Sequence, residues 1–262
     1  MSNILINIEI RSFSARRGWQ WIQAGAALLG KNPVQLIIML VALFAAFRLL
    51  LLIPYVGSLA LLAMPIALVG MIEGCRAIAF GKPLAFGYLL AGFTRNTSAL
   101  LVLGSLSIAS NLLVLIAMSA IGGDSFQEVV KLSTQQKLSQ ENARELSDAA
   151  SGIFAALLVG WLLSILVMMA LWFAPLLVYY RDLKPHEAMM YSFAACRKNL
   201  GAFAVYGGIV FSVLIMVMPI AMSARLLDLG LLLLAPVVIP SIYAAYTDIF
   251  ADAPETPAET TA

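Results

Sequence analysis

An all-α membrane fold is predicted by three features of this chain. It has six long apolar runs, the runs group into three hairpins of one layout, and the composition does not suit a single water-soluble core. The hydrophobic fraction is 62% and the charged fraction 11%, and the mean hydropathy is +0.94. These values lie far from those of soluble domains.

The runs Pro33–Ile53, Val56–Phe80, Thr97–Ile121, Ile153–Tyr180, Gly201–Ser223 and Leu226–Phe250 come first. Each reaches or exceeds the roughly 20 residues that cross about 30 Å of hydrocarbon. Apolar residues surround each run instead of alternating along it, so six transmembrane helices are expected and not barrel strands. Each hairpin follows a segment ending in a base and Asn: Lys31-Asn32, Arg95-Asn96 and Lys198-Asn199. Each closes with a proline followed about two turns later by an acid: Pro65 to Glu73, Pro175 to Asp182 and Pro240 to Asp248. Three hairpins starting from one side predict a pseudo-threefold parallel repeat about the membrane normal. The expected domains are an N-terminal cytoplasmic or interfacial segment (1–33), a six-helix transmembrane domain (34–250) and a disordered acidic tail (251–262).

Lys and Arg placement orients the bundle. Arg11, Arg16, Arg17 and Lys31 precede the first run; Arg76, Lys82, Arg95, Arg181, Lys184, Arg197 and Lys198 fill the second and fourth connections. The other side has Lys131, Lys137, Arg144 and Arg225 among more numerous acids. Both termini are therefore expected in the cytoplasm. The first apolar run is too long for a signal-peptide core, so no cleavable leader is expected. Cys75 and Cys196 fall at cytoplasmic hairpin ends, where a disulfide is disfavoured and small apolar packing is the simpler role.

The stretches before the odd helices read as amphipathic helices lying in the headgroup region; ordinary polar connections are the alternative. Residues 14–30 place Trp19, Ile22, Ala26 and Leu29 on one face, with Ser12 or Ser14 as a cap. Lys82–Asn96 carries Tyr88 and Phe93, and Lys184–Asn199 carries Tyr191 and Phe193; Pro83 and Pro185 suit a first helical turn. Trp19, Trp21, Lys31, Arg95 and Lys198 are the expected interfacial anchors. Residues 122–151 form the one long periplasmic loop, expected to be helical, with a capping box at Ser125–Glu128 and a greasy face including Phe126, Val129, Val130 and Leu132. That face suits packing on the membrane domain, a periplasmic partner or dimerisation.

Catalytic chemistry finds no support. His186 stands alone beside Glu187, and no metal-ligand cluster, phosphate loop or nucleophile–base spacing occurs. Glu73, Arg76, Asp182 and Asp248 are the candidate functional charges. They read either as boundary pairs at the inner end or as a lined path with neighbouring bases. Arg48 can snorkel at the outer end. Two mild polar rows, Gly104-Ser107-Ser110-Asn111 and Ala204-Gly208-Ser212, suit close helix packing. A polar conduit would require Asn111 to face the bundle axis.

The segments ARRGWQWIQAGAALLGKNP, WFAPLLVYYRDLKPHEAMMYSFAACRKN and PSIYAAYTDIF resemble an uncharacterised family of proteobacterial six-helix integral inner-membrane proteins. The likeness covers nearly all the chain outside the periplasmic loop and tail. It implies a bacterial inner-membrane location and brings no activity, cofactor or catalytic residue. A fainter likeness to the membrane domains of some glycerophosphodiester phosphodiesterases implies only nearness to lipid. Mitochondrial carriers share the three-hairpin plan, but their Pro-x-acid-x-x-base signature is absent from these odd helices.

The expected function is non-enzymatic and cofactor-free: binding another membrane protein or organising lipid. Its partners would be the lipid bilayer and a membrane protein or second copy, with no nucleic acid. A small-molecule or lipid transporter with an inner acidic ring is the alternative. The orientation is open to direct test. Cysteines placed at Gln135 and Ser139 are expected to react with an impermeant thiol reagent in intact cells, and cysteines at Arg17 and Thr256 are not; labelling of the second pair from outside would reverse the topology.

Overall fold

The computed structural model describes residues 8–53, 56–134, 153–223 and 227–250, and every regular element in them is helical. In chain order these are α1 (Arg16–Lys31), α2 (Pro33–Leu51), α3 (Val56–Leu62), α4 (Met64–Ala79), a 3-10 helix (Phe86–Phe93) and α5 (Thr97–Thr134). There follow α6 (Phe154–Leu171), α7 (Ala174–Arg181), α8 (Pro185–Lys198), α9 (Leu200–Ser223) and α10 (Leu227–Ile249). The acidic tail and most of the outer loop, Val130 and Leu132 side chains included, lie outside the described residues.

Four stretches are long and apolar enough to cross a membrane: Pro33–Leu51, Thr97–Gln127, Phe154–Arg181 and Leu200–Val217. Of the other two expected spans, one is divided into two helices and the other, α10, is a single helix. Val56–Phe80 divides at Ala63 into α3 and α4, because Pro65 has no N–H to offer the preceding turn. The sixth run contributes the shorter apolar stretch Leu233–Ile249. The first apolar run opens with Pro33 in the first turn of α2.

Proline also breaks the third span, between α6 and α7, where Pro175 opens the second. The break is closed by a side chain. Ser192 of α8, fully buried, accepts a hydrogen bond from the Phe173 N–H at 3.0 Å and donates to the Met169 carbonyl at 2.8 Å. Those two backbone groups stand four residues apart and would bond each other in an unbroken helix. The hydroxyl is thus inserted into the ladder.

The three segments before the hairpins all pack side-on against helices. α1 lies on α9 and α10, the 3-10 helix on α4, and α8 on α6 and α7. On α1 the buried face is Gly18, Trp21 and Gly25, not the expected Trp19–Ile22–Ala26–Leu29 row; Trp19 and Ala26 are exposed. Close approach is the reason: a Cβ on Gly18 would sit 2.0 Å from the Ala202 carbonyl oxygen, and one on Gly25 would be 2.6 Å from that of Val237. Neither Ser12 nor Ser14 caps α1 through its side chain; Ala15 occupies that position, and the Ser12 hydroxyl donates instead to the Lys198 carbonyl at 3.3 Å.

The second segment is a 3-10 helix where an amphipathic α-helix is expected, and Pro83 lies in the extended stretch before it. Two glycines, Gly87 and Gly92, lower its helix propensity. The third segment is α-helical with Pro185 in its first turn, as expected. α5 continues past the membrane-length stretch to Thr134 with a break at Gly123 (φ 52°, ψ −137°). Beyond the break Phe126 is buried with Ile153 and Ala156, so the start of the outer loop packs on its own bundle.

The main core sits toward the end carrying the base–Asn motifs. Trp21 packs on Phe203 at 5.3 Å between ring centroids, Phe173 on Phe250 at 5.4 Å and Tyr180 on Tyr246 at 5.5 Å. The opposite halves of α5, α6 and α9 expose Leu113, Ile116, Trp161, Phe211 and Met216, surfaces suited to lipid and not to water.

Two substitutions test these contacts. Ser192→Ala leaves two buried backbone groups without a partner and is expected to cost about 1–3 kcal/mol. Gly18→Ala is expected to push α1 off α9. Both should lower the thermal midpoint of the purified protein, and an unchanged midpoint for Ser192→Ala would make the bridge dispensable.

Candidate functional site

Glu73, Asp182 and Asp248 each meet a different partner set. Asp248, the penultimate residue of α10, receives a forked guanidinium from Arg17: Nε to Oδ2 at 2.8 Å and Nη2 to Oδ1 at 2.9 Å. The Trp21 indole N–H donates to the same Oδ2 at 2.7 Å. Arg17 and Trp21 are four apart on α1, so one helix face delivers both. The hydrogen bond from Asp248 raises the Arg17 pKa above its ordinary value against partial desolvation, with the carboxylate charge adding to the effect. Trp21, expected beside Trp19 as a headgroup anchor, is only 1% exposed; a buried indole holds its N–H partner instead of reaching the interface.

Asp182 ends α7 in the left-handed region (φ 54°), and Asn96 facing it has φ 55°. Asn and Asp tolerate that conformation better than most residues. The Asn96 amide donates to Asp182 Oδ1 at 2.7 Å and to the Val178 carbonyl at 2.9 Å. Arg95 donates to both carboxylate oxygens, one of them at 3.0 Å. Desolvation pulls the Asp182 pKa up, but the Asn96 and Arg95 hydrogen bonds and the guanidinium charge outweigh it, so the carboxyl lies below its ordinary value. Both side chains are substantially exposed, which keeps the ion pair itself weak.

Glu73 pairs within its own helix, with Arg76 at 3.3 Å, and this is the most enclosed pair of the three at 13% and 8% side-chain exposure. The Arg76 guanidinium lies 5.5 Å from the Tyr180 ring centroid and 5.8 Å from that of Phe80. The Tyr180 hydroxyl is buried on the same side, next to the Glu73 carboxylate. The acids therefore share no base among the described contacts; the structure does not assemble them into one ring.

The bases of the repeated motif also diverge. Arg95 is taken up by Asp182, whereas Lys31 is exposed and the Asn32 side-chain amide donates to Gln35 Oε1, three residues on, at 2.7 Å. Lys198 donates to the Ile10 carbonyl. Asn199, 1% exposed, accepts from the Phe13 N–H at 2.8 Å and donates to the Arg11 carbonyl at 2.9 Å. The Arg11 N–H in turn reaches the Ile249 carbonyl at 3.0 Å. Residues 8–13 are thus a strap tying the start of the chain to α8 and the end of α10. The sequence reading passed over it; the alternation of Ile8 and Ile10 with Glu9 and Arg11 is its only local sign.

Of the two mild polar rows, Gly104 is packed closely on α3 as expected, a Cβ there lying 2.2 Å from the Leu62 carbonyl oxygen. Asn111 is exposed and bonds the Ser107 carbonyl of its own helix at 2.8 Å, so it does not face a conduit. Ala204, Gly208 and Ser212 are exposed on this chain. His186 and Glu187 are exposed neighbours 4.0 Å apart. Cys75 and Cys196 are free and buried, with burial pushing the Cys196 thiol up to about 12.

The Asp248 knot makes an unequal prediction for its two donors. Asp248→Ala strands the buried Trp21 N–H and is expected to cost about 1–3 kcal/mol. Arg17→Gln removes a part-exposed ion pair worth about 0–1 kcal/mol. Thermal unfolding of the two variants should rank them in that order, and a larger loss for Arg17→Gln would reverse the assignment.

Comparison with known proteins agrees with a membrane protein. The chain is 32% identical over 205 residues to a protein of Burkholderia thailandensis named "Probable inner membrane protein", with 76% of this chain and 74% of that one aligned. No family model and no solved structure matches the chain. On that relationship and its apolar helices, the chain belongs to the same family of inner-membrane proteins.

Proposed function

We propose that this is a non-enzymatic inner-membrane protein whose role is to organise lipid at the cytoplasmic interface, where a membrane-protein partner would also be bound. In this reading the six apolar runs form three hairpins with both termini in the cytoplasm. The packing order supports a threefold repeat: the first segment rests on the third hairpin, the second on the first and the third on the second. Such a cycle is what a closed parallel repeat requires.

The observation that carries the functional reading is the separate pairing of the three acids. Asp248 is engaged by Arg17 and Trp21, Asp182 by Arg95 and Asn96, and Glu73 by Arg76. Charges committed to anchoring segments at the membrane boundary suit a scaffold better than a path for a moving solute. The transporter alternative draws on the most buried of these groups, the Glu73–Arg76 pair beside the buried Tyr180 hydroxyl.

Neutralising Glu73, Asp182 and Asp248 together to Gln or Asn separates the two. A scaffold is expected to retain complementation of a deletion strain, with reduced stability. A folded, membrane-inserted triple variant that fails to complement would favour transport.

A further inference from the structure

We propose that the cleft between the strap and α8 binds the headgroup of a zwitterionic phospholipid bearing a primary ammonium, of the phosphoethanolamine type. The inference rests on the lipid-organising reading and names the lipid chemistry involved.

The cleft has a volume of about 960 Å3 and is lined by Ile8, Glu9 and Ile10 of the strap and by Tyr191, Arg197 and Lys198 of α8. It carries both signs of charge. Arg197 and Glu9 are exposed, and neither forms a hydrogen bond or ion pair among the described residues, although both line one cleft. Opposite charges on facing walls that do not meet each other match a ligand carrying the complementary charges in sequence. A phosphate suits the Arg197 guanidinium, whose planar fork offers paired donors. Lys198 uses one donor on the Ile10 carbonyl and keeps others for the same anion. A primary ammonium then reaches the Glu9 carboxylate, which can accept its N–H groups.

The surroundings suit a lipid source. Met190 on α8 is 70% exposed and Leu200, at the start of α9, is 54% exposed, so apolar surface lies near the charged cleft. A quaternary ammonium has no N–H to give Glu9, and an uncharged glycerol headgroup has no cation to offer it. The site therefore predicts an order of preference among lipids, beyond general attraction to a basic face.

The test uses the full-length protein in detergent, with lipid binding followed by native mass spectrometry. Phosphatidylethanolamine is expected to bind about tenfold more tightly than phosphatidylcholine or phosphatidylglycerol, a difference of about 1.4 kcal/mol. Glu9→Gln should abolish that preference while leaving phosphatidylglycerol binding unchanged. Arg197→Gln should weaken all three phosphate lipids, and Arg16→Gln, an exposed base outside the cleft, should weaken none. Thermal midpoints matching the wild type would establish that the variants are folded. Equal binding of the three lipids, or a preference that survives Glu9→Gln, overturns the proposal. So does soluble phosphoethanolamine binding as tightly as the lipid. Complementation by the triple acid variant is independent of these outcomes, so a failed headgroup site and a failed scaffold reading remain distinguishable.

Discussion

A backbone hydrogen bond opened inside hydrocarbon has to be closed by protein, because no water is there to take its place. Prolines in the second helix of every hairpin create that requirement, and much of the architecture is the answer to it. At the α6–α7 break the answer is a hydroxyl from α8 bridging Phe173 and Met169. In α10, which keeps Pro236 and Pro240 inside the helix, the Ser241 hydroxyl donates to the Val238 carbonyl at 2.6 Å and meets the Tyr206 hydroxyl of α9 at 2.7 Å, a polar contact between the two helices. At the α6–α7 break, α8 is therefore part of the span's hydrogen bonding and not merely surface decoration.

The same segments bring the charges into place. α1 lies closely enough on α9 and α10 for Arg17 and Trp21 to meet Asp248 because Gly18 presents no side chain to α9 and Gly25 none to α10. Small residues permit the approach, the approach satisfies the acid, and the aromatic core behind it excludes water. Removing any one of these elements weakens the other two.

This chain of dependence also accounts for what the residues reveal on their own. Helical class, the membrane setting and the position of the break near Pro175 follow from composition, run length and proline chemistry. The packed face of α1 does not: apolar periodicity selects Trp19 and Ala26, which the structure exposes. In a membrane protein lipid accepts the greasy face and close packing selects the small one. The acids are visible in sequence as inner-end charges, but Asp248 and Arg17 are 231 residues apart, and no spacing rule joins them. The strap is similarly hidden, since its binding is mostly backbone carbonyl and amide groups that any residue carries.

The strap and α1 also impose an order on biosynthesis. Their docking surfaces, Lys198, Asn199, Ala202 and the end of α10, are among the last described residues to leave the ribosome. Until the last described helix is in place, the Gly18–Trp21–Gly25 face of α1 lacks part of the surface it packs on. A chain cut short before Asp248 is expected to leave Arg17 and Trp21 without their shared carboxylate.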